Sequence, residues 1–401
     1  MYRKQNGRSQ NFAKRSSVGK FSFKQKPRAS QSRFGQFKDI SKFVNKANST
    51  AESKPYVAVN SFAGFSVDER LKKNILRAGY ITPTPIQDQA IPYILAGKDI
   101  VGVANTGTGK TAAFIVPLLD KVAKDKKQNV LIVAPTRELA IQIDQELKKF
   151  GFGLGAFSVC CVGGMPVFRQ INDLRRGYNF VIGTPGRIKD LSDRGCLKLN
   201  NFQTIVLDEA DRMLDMGFVN DMRFLVTAMP KTHQTLLFSA TISFDIKKLI
   251  NEFLKDPVSI SVKTGDTAKG VDQDVVYIRN EVKIEVLHNL LAKPEFNKVL
   301  IFGKTKHGVE RLSEMLVIRG FKAESIHGNK NHTQRQKALS KFKENKSQIL
   351  VATDVAARGL DIPNVSHVIN YELPNTYEDY IHRIGRTGRC GKVGKALTFI
   401  E

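Results

Sequence analysis

The chain is poor in what several protein classes require. Its 401 residues include only four cysteines, Cys160, Cys161, Cys196 and Cys390. Two are adjacent and none forms a CxxC pair, so neither a disulfide framework nor a zinc knuckle is supported. That pattern suits a reducing, cytoplasmic setting, with Cys160 and Cys161 expected in a sheet core. No run approaches the ~18 apolar residues of a membrane span, and no membrane partner is expected. The opening residues, Met1-Tyr-Arg-Lys-Gln5, lead into no apolar stretch, so a secretory signal is not expected. Acidic residues are scarce as well: 38 Asp and Glu stand against 63 Lys and Arg, a formal net charge of +25. Such an excess favours a polyanionic partner, nucleic acid foremost. Hydrophobic content of 41% and charged content of 25% are those of a globular protein, with room for two or three domains.

Residues 1–55 read as a disordered basic tail. Up to residue 54 they carry fourteen Lys or Arg against two acids, Asp39 and Glu52, about half of the net charge. They show neither a helical nor an alternating period, and they cannot bury enough apolar surface to offset the entropy of ordering. The tail is either solubilising or an electrostatic tether for RNA, with aromatics such as Phe12, Phe34 and Phe43 stacking on bases. The lopsided charge favours the tether. Residues 37–47 are a candidate docking segment.

From residue 56 short β-rich runs alternate with amphipathic stretches. The runs begin at Asp99, Val130, Ser158, Phe180, Thr204 and Thr235, then resume at Lys298, Ala323, Gln348, Val365 and Ala396. Alternation of this kind predicts βαβ units and parallel sheets. A polar, glycine-bearing stretch separates the two series. The expected organisation is therefore a first α/β domain over 56–262, a linker over 263–272 and a second α/β domain over 273–401. Nearly every run ends in small, polar or charged residues, which places these groups beyond the carboxyl ends of the strands, where open α/β sheets bind ligands.

Two of those endings carry recognisable chemistry. Ala104-Asn-Thr-Gly-Thr-Gly-Lys-Thr111 lies between a strand and an apolar helix and reads as a P-loop. Thr106, Gly107, Thr108 and Gly109 would cradle phosphates with their backbone, Lys110 would reach the β- and γ-phosphates, and the Thr111 hydroxyl would meet Mg²⁺. Ala104 stands where the strict pattern has a glycine. Asp208-Glu209 close another apolar run; Asp208 would hold the magnesium, and Glu209 would orient and deprotonate the attacking water. Arg383, Arg386 and Arg389 recur at spacings of three, either as arginine fingers on the terminal phosphate or as a structural salt-bridge cluster.

These segments occur in a particular order with several others: Gly79-Tyr-Ile-Thr-Pro-Thr-Pro-Ile-Gln87, Pro135-Thr-Arg-Glu-Leu-Ala140, Thr184-Pro-Gly-Arg187, Asp208-Glu-Ala-Asp211, Ser239-Ala-Thr241, Ala352 to Asp361 and His382 to Arg389. The ordered set, over about residues 60–401, resembles the DEAD-box family of ATP-dependent RNA helicases. The resemblance implies two tandem RecA-like domains closing over ATP, Mg²⁺ and single-stranded RNA or a short duplex, with no base-sequence preference in the core. It implies that Gln87 reads the adenine edge, that Phe62 and Tyr80 pack around the base, and that Gly359 and Asp361 touch the nucleotide from domain two. Arg386 and Arg389 become catalytic alongside Lys110, Asp208 and Glu209. Asp211, Ser239, Thr241 and His382 resemble the residues that couple hydrolysis to RNA binding. RNA contacts carry over to Thr136, Arg137, Gly163, Gly164, Thr184, Gly186, Arg187, Arg335 and Thr353.

There are three departures from the family pattern. His332 stands where the family usually has Gln, which puts that RNA contact in doubt; Glu372 often reads Asp. The last residue, Glu401, follows the final strand where the family adds a closing helix, so a C-terminally truncated second domain is one expectation. The leading function is RNA-stimulated ATP hydrolysis coupled to local unwinding or ribonucleoprotein remodelling, by a monomer, with ribosomal or RNA-turnover proteins as candidate partners. An ATP-gated clamp or annealing chaperone is the alternative, and a DNA translocase the third reading. Deleting residues 1–54 should lower RNA affinity and flatten its salt dependence. The measurement is log Kd against log salt, and an unchanged slope refutes the tether.

Overall fold

Two parallel β-sheets with flanking helices build the chain. The computed structural model describes residues 43–44, 56–105, 107–262, 270–279, 281–357, 362–388 and 394–401. The first sheet contains β1 (Ile100–Ala104), β2 (Val130–Val133), β3 (Ser158–Cys161), β4 (Phe180–Gly183), β5 (Thr204–Leu207), β6 (Gln234–Ser239) and β7 (Val258–Val262). Its order is β3-β4-β2-β5-β6-β1-β7. The second contains β8 (Val271–Tyr277), β9 (Val299–Gly303), β10 (Ala323–Ile326), β11 (Ile349–Thr353), β12 (His367–Asn370) and β13 (Gly394–Ile400), in the order β10-β11-β9-β12-β13-β8. Neighbouring strands pair in parallel throughout.

The central strands are buried on both faces, which is why they read as unbroken apolar runs. Successive side chains alternate faces. In β2, Val130 and Ile132 join a cluster with Phe114, Ile143 and Phe238. Leu131 and Val133 join the opposite one with Ile188, Met213 and Leu225. All the expected strands form, and β7 and β8 are additions. Neither shows a clear run in sequence, because Val258-Ser-Ile-Ser-Val262 alternates on an edge and Val271-Asp-Gln-Asp-Val-Val-Tyr277 carries two acids. Strand β8 starts inside the expected linker, drawn in by its pairing with β13 from Gly394 to Ile400. Residues 263–269 lie outside the described residues.

Of the expected tail, the described residues are Phe43 and Val44. Phe43 is not solvated. It is buried edge-on against Tyr380, ring centroids 4.8 Å apart, on the helix Tyr377–Ile384. The Tyr380 hydroxyl in turn donates to Gln273 of β8 at 3.0 Å. This point of the candidate docking segment therefore packs on the elements of the second sheet. Among the described residues no helix is long and apolar enough to cross a membrane. Cys161 is buried in β3 and Cys160 half-buried, as a sheet core requires. Burial pushes both thiols up to about 12.

His367 in β12 gives the second sheet a pH dependence. It is buried, stacked 4.0 Å from the Phe296 ring. Burial, then the charge of Lys395, pushes its pKa down to about 4, against the opposing pull of Glu295. Unfolded, the imidazole titrates near ~6.5. Between those values the unfolded state binds more protons, so stability is fully present above about 6.5 and falls as pH drops towards about 4. Urea midpoints should fall more steeply over this window in the wild type than in His367→Asn. Equal pH dependence would show that His367 is not held neutral in the fold.

Candidate functional site

Parallel pairing brings the carboxyl ends of β1 to β6 to one edge of the first sheet, and the candidate residues follow directly. After β1 the chain turns through Gly107 and Gly109, with φ of 84° and 91°, a left-handed conformation glycine adopts without strain. The helix Lys110–Lys124 begins at once. Ala104 is an ordinary strand residue paired with Val262, so its methyl group does not disturb the turn. Lys110 Nζ donates to the Ala104 carbonyl at 2.9 Å, and Thr108 Oγ1 to that of Asn105 at 2.8 Å. The loop is thus closed around its own lysine. Thr111 is half-buried one residue further on, and Thr106 lies outside the described residues.

Gln87 packs against this loop. A Cβ on Gly109 would lie 2.4 Å from Gln87 Nε2 and displace that amide, on a backbone whose φ of 91° already favours glycine. That nitrogen donates to the Gly109 carbonyl at 3.0 Å, and Gln87 Oε1 accepts from the Thr84 N–H at 2.9 Å. A carboxamide has two N–H groups and two lone pairs, so one of each remains uncommitted. Phe62 and Tyr80 lie together, edge-on at 6.1 Å, with the Tyr80 hydroxyl donating to Glu146 at 2.8 Å. Phe62 is buried in the apolar core.

The acids after β5 are held in strain and out of water. Glu209 adopts φ 52°, ψ 52° at the start of the helix Ala210–Asp215, a conformation costly for a residue with a side chain. Its N–H donates to Asp208 Oδ1 at 3.0 Å, and both carboxylates are buried. Burial pushes the Asp208 carboxyl up to about 7; Lys110 pulls it down, while Glu209 and Asp211 add repulsion. A carboxylate so placed would be relieved by a divalent cation, and one or two carboxylates plus phosphate oxygens are what magnesium takes. Asp208 and Thr111 therefore fit that ion by chemistry.

Asp211 joins this segment to the end of β6. Its Oδ2 accepts from the Ala240 and Thr241 N–H groups, each at 3.0 Å, and from Thr241 Oγ1 at 3.2 Å. Ser239 Oγ donates to the Thr241 carbonyl at 2.7 Å. The next residue, Arg212, lines a narrow crevice with His382, Arg383, Arg386 and Asp354 from the second sheet's elements. Three of the four expected coupling residues are thus linked directly, and the fourth, His382, shares the crevice with Asp211's neighbour.

The arginine triplet divides. Arg383 is buried, and its fork grips Asp354 at 2.5 and 2.7 Å. It also donates to the Glu372 carbonyl at 2.7 Å and Asn370 Oδ1 at 3.2 Å. This is the structural salt-bridge alternative: four hydrogen bonds of the fork run to Asp354, Glu372 and Asn370 on the second sheet's elements. Arg386 is buried in the crevice. Arg389, Gly359 and Asp361 lie outside the described residues.

The expected RNA residues cluster around the other strand ends. Arg137 packs beneath the glycine pair: a Cβ on Gly163 would meet its guanidinium at 3.1 Å and one on Gly164 at 2.0 Å. Thr136 is buried with its hydroxyl accepting from Leu139 N–H at 3.3 Å, a helix cap that positions Arg137. Arg187 donates to the Met165 carbonyl at 3.3 Å and lies 3.5 Å from Asp190. Thr184 and Gly186 open the helix Pro185–Asp193, and Thr353 ends β11. Arg335, on the helix His332–Lys343, lies 2.8 Å from Glu138 of the helix Arg137–Phe150. The contact is close but not aligned as a hydrogen bond, since Glu138 Oε1 and Arg335 Nε both lack a hydrogen-bond partner. His332 joins them with an unpartnered Nδ1, and burial holds its imidazole below the usual range.

Sequence reasoning set Glu138 and Asp354 at the strand-end edge without a role and gave none to Asp88 or Arg212; their contacts are made by distant segments. Asp88 left a signal, a lone acid in the apolar stretch after Gln87. Arg383→Ala should cost about 3 kcal/mol, because a half-buried Asp354 loses its fork, and Arg383→Lys should recover only part. Urea unfolding checks this. Wild-type stability with lost ATPase would instead make Arg383 a phosphate-balancing residue.

Residues 84–249 match the DEAD/DEAH box helicase family model, and 282–391 the helicase conserved C-terminal domain. The chain is 46% identical to ATP-dependent RNA helicase CshA of Listeria monocytogenes over 86% of its own length and 66% of that protein's. It is 45% identical to DEAD-box ATP-dependent RNA helicase CshA of Bacillus subtilis over 85% and 69%. It thus spans about two thirds of the length of the curated relatives it matches. Among solved structures, S. cerevisiae Dbp5 bound to RNA and ADP BeF3 superposes with a TM-score of 0.76 at 31% identity, covering 85% of this chain and 89% of that one. Mss116p bound to ssRNA and AMP-PNP gives 0.77 at 32%, covering 85% and 75%. Matched by both family models and by these relatives over most of its length, the chain belongs to the DEAD-box family of ATP-dependent RNA helicases.

Proposed function

We propose that this chain hydrolyses ATP in response to RNA and uses the cycle to separate short duplexes or remodel ribonucleoproteins. The observation that carries the reading is Asp211: the segment bearing the buried Asp208 and Glu209 is tied through it to Ser239-Ala-Thr241 and, one residue on, to the crevice of His382 and Arg386. Backbone N–H groups of Thr106 to Gly109 and the start of the following helix receive the phosphates. Lys110 exchanges the Ala104 carbonyl for the β- and γ-phosphates. Thr111 and Asp208 would hold magnesium, which when bound offsets phosphate charge. Glu209 takes the proton of the attacking water as its oxygen bonds to the γ-phosphorus, and the bond to the bridging oxygen breaks to release ADP. Arg386 and Arg389 balance the charge on the transferred group.

Gln87 retains one donor and one acceptor, the pair that adenine N6 and N7 require, so ATP is preferred over GTP. Phe62 and Tyr80 pack on the base side, and Gly359 and Asp361 complete the nucleotide site from the second domain. Thr136, Arg137, Gly163, Gly164, Thr184, Gly186, Arg187, Arg335 and Thr353 track the RNA backbone and its 2′-hydroxyls. An RNA phosphate at Arg335 would supply the alignment that Glu138 does not. The protein acts as a cytoplasmic monomer on RNA, in ribosome assembly or RNA turnover.

The test is steady-state ATP hydrolysis without nucleic acid, with single-stranded RNA and with the matching DNA, at one fixed salt concentration. Stimulation by RNA alone is expected. No stimulation with RNA still bound would favour the clamp or chaperone reading, and equal stimulation by DNA a translocase. Glu209→Gln should keep ATP and RNA binding while turnover falls at least ~100-fold; persistent turnover would remove Glu209 as the base.

A further inference from the structure

Next to Gln87, on the first turns of the helix Pro85–Leu95, Asp88 is almost fully buried. Its carboxylate is filled by one upstream segment. Oδ2 accepts from the Tyr56 hydroxyl at 2.6 Å and the Val59 N–H at 2.8 Å. Oδ1 accepts from the Asn60 N–H at 2.9 Å and Asn60 Nδ2 at 2.7 Å. Burial by itself would raise this carboxyl, but the four donors outweigh it and hold the group below the usual carboxylate range.

Among the described residues, the side-chain hydrogen bonds of the strap 56–60 run to Asp88, with Gln89 also at the Tyr56 hydroxyl. Val57 and Val59 point into solvent, 82% and 89% exposed, so apolar burial does not fasten the segment. Two residues beyond Asn60 the chain enters the core at Phe62, edge-on to Phe65 and Tyr80. On the other side of the same helical turn, Gln87 holds the Gly109 carbonyl of the phosphate loop. Adjacent side chains thus fasten two segments: Gln87 the phosphate loop, Asp88 the strap that leads to Phe62.

We infer that Asp88 is a positioning residue for the base of the nucleotide, acting through the strap 56–60 to fix where Phe62 and the Gln87 amide stand relative to the phosphate loop. The inference rests on the nucleotide reading above. It sets adenosine affinity and ATP-over-GTP selectivity apart from phosphate binding, because the triphosphate is received by a loop that Asp88 does not touch. Charge-assisted hydrogen bonds to a buried carboxylate are not replaced by an amide, whose N–H groups would face the strap's own donors.

The experiment compares wild type, Asp88→Asn and Tyr56→Phe, the last removing one of the four donors. Fluorescent ATP and GTP titrations give the affinities, inorganic triphosphate competition isolates the phosphate side, and thermal melting reports folding. In Asp88→Asn, ATP affinity should fall roughly five- to tenfold, a loss of about 1 kcal/mol or slightly more. The preference over GTP should narrow and triphosphate affinity should hold. Tyr56→Phe should shift the same way by about threefold or less. In RNA-stimulated hydrolysis KM should rise while kcat at saturating ATP stays within about twofold. Unchanged ATP affinity and selectivity in both variants overturn the role of Asp88 while the wild-type preference for ATP stands. An equal loss for triphosphate also overturns it, by showing that Asp88 supports the phosphate loop. A wild type that does not prefer ATP overturns the base-recognition reading first, and the inference with it.

Discussion

Parallel strand pairing is the constraint from which the rest of the molecule follows. A parallel neighbour can be reached only by crossing back over the sheet, so each strand of the first sheet ends on the same edge before the chain returns through a helix. The phosphate loop, the Asp208–Glu209 pair, the Ser239–Thr241 turn and the glycine pair are far apart in sequence. They come to one edge because all four strands run the same way: β5, β6 and β1 lie side by side, and the glycine pair follows β3 at the far end of that edge. Burial on both faces fixes the register, since a one-residue slip would carry Val130 and Ile132 into the cluster built for Leu131 and Val133.

At that edge the structure handles charge by burial and by pairing. Asp208 is the unrelieved case: burial and the neighbouring acids push it up to about 7, and Lys110 compensates only in part. The strained backbone at Glu209 belongs to the same arrangement, because it turns two successive acids at the strand end without returning them to water. Arg383 and Asp354 are the opposite case, a buried fork paired with a carboxylate in the lining of the crevice. Arg335 and Glu138 lie between these extremes, close in space yet poorly aligned.

The proposed base side of the nucleotide site follows a different logic. Its aromatics are core residues, and its amide is committed on one side to Thr84 and Gly109. Beside it, a short exposed strap is hydrogen-bonded to the Asp88 carboxylate.

Much of this was legible in the sequence. The alternation of apolar runs and amphipathic stretches sufficed for the α/β class and the ordered motifs for the family, while glycines at 107 and 109 before a lysine and acids ending an apolar run marked out the candidate site. These signals are local: each depends on residues close in the chain, with backbone needs and burial that the residue types announce. What the sequence left undecided depended on partners far along the chain. It could not choose between Arg383 as finger and as salt bridge, because Asp354 and Glu372 meet it only once β11 and β12 are in place. It did not show β7 or β8, whose mixed residues become strands by pairing with β1 and β13. Nor did it place Phe43 against Tyr380, or Asp88 under Tyr56 and Asn60. Residue types determined which chemistry the chain can perform; tertiary structure decided which of those groups are paired and which stand ready for a ligand, since a buried charge or ring is defined by what distant segments bring against it.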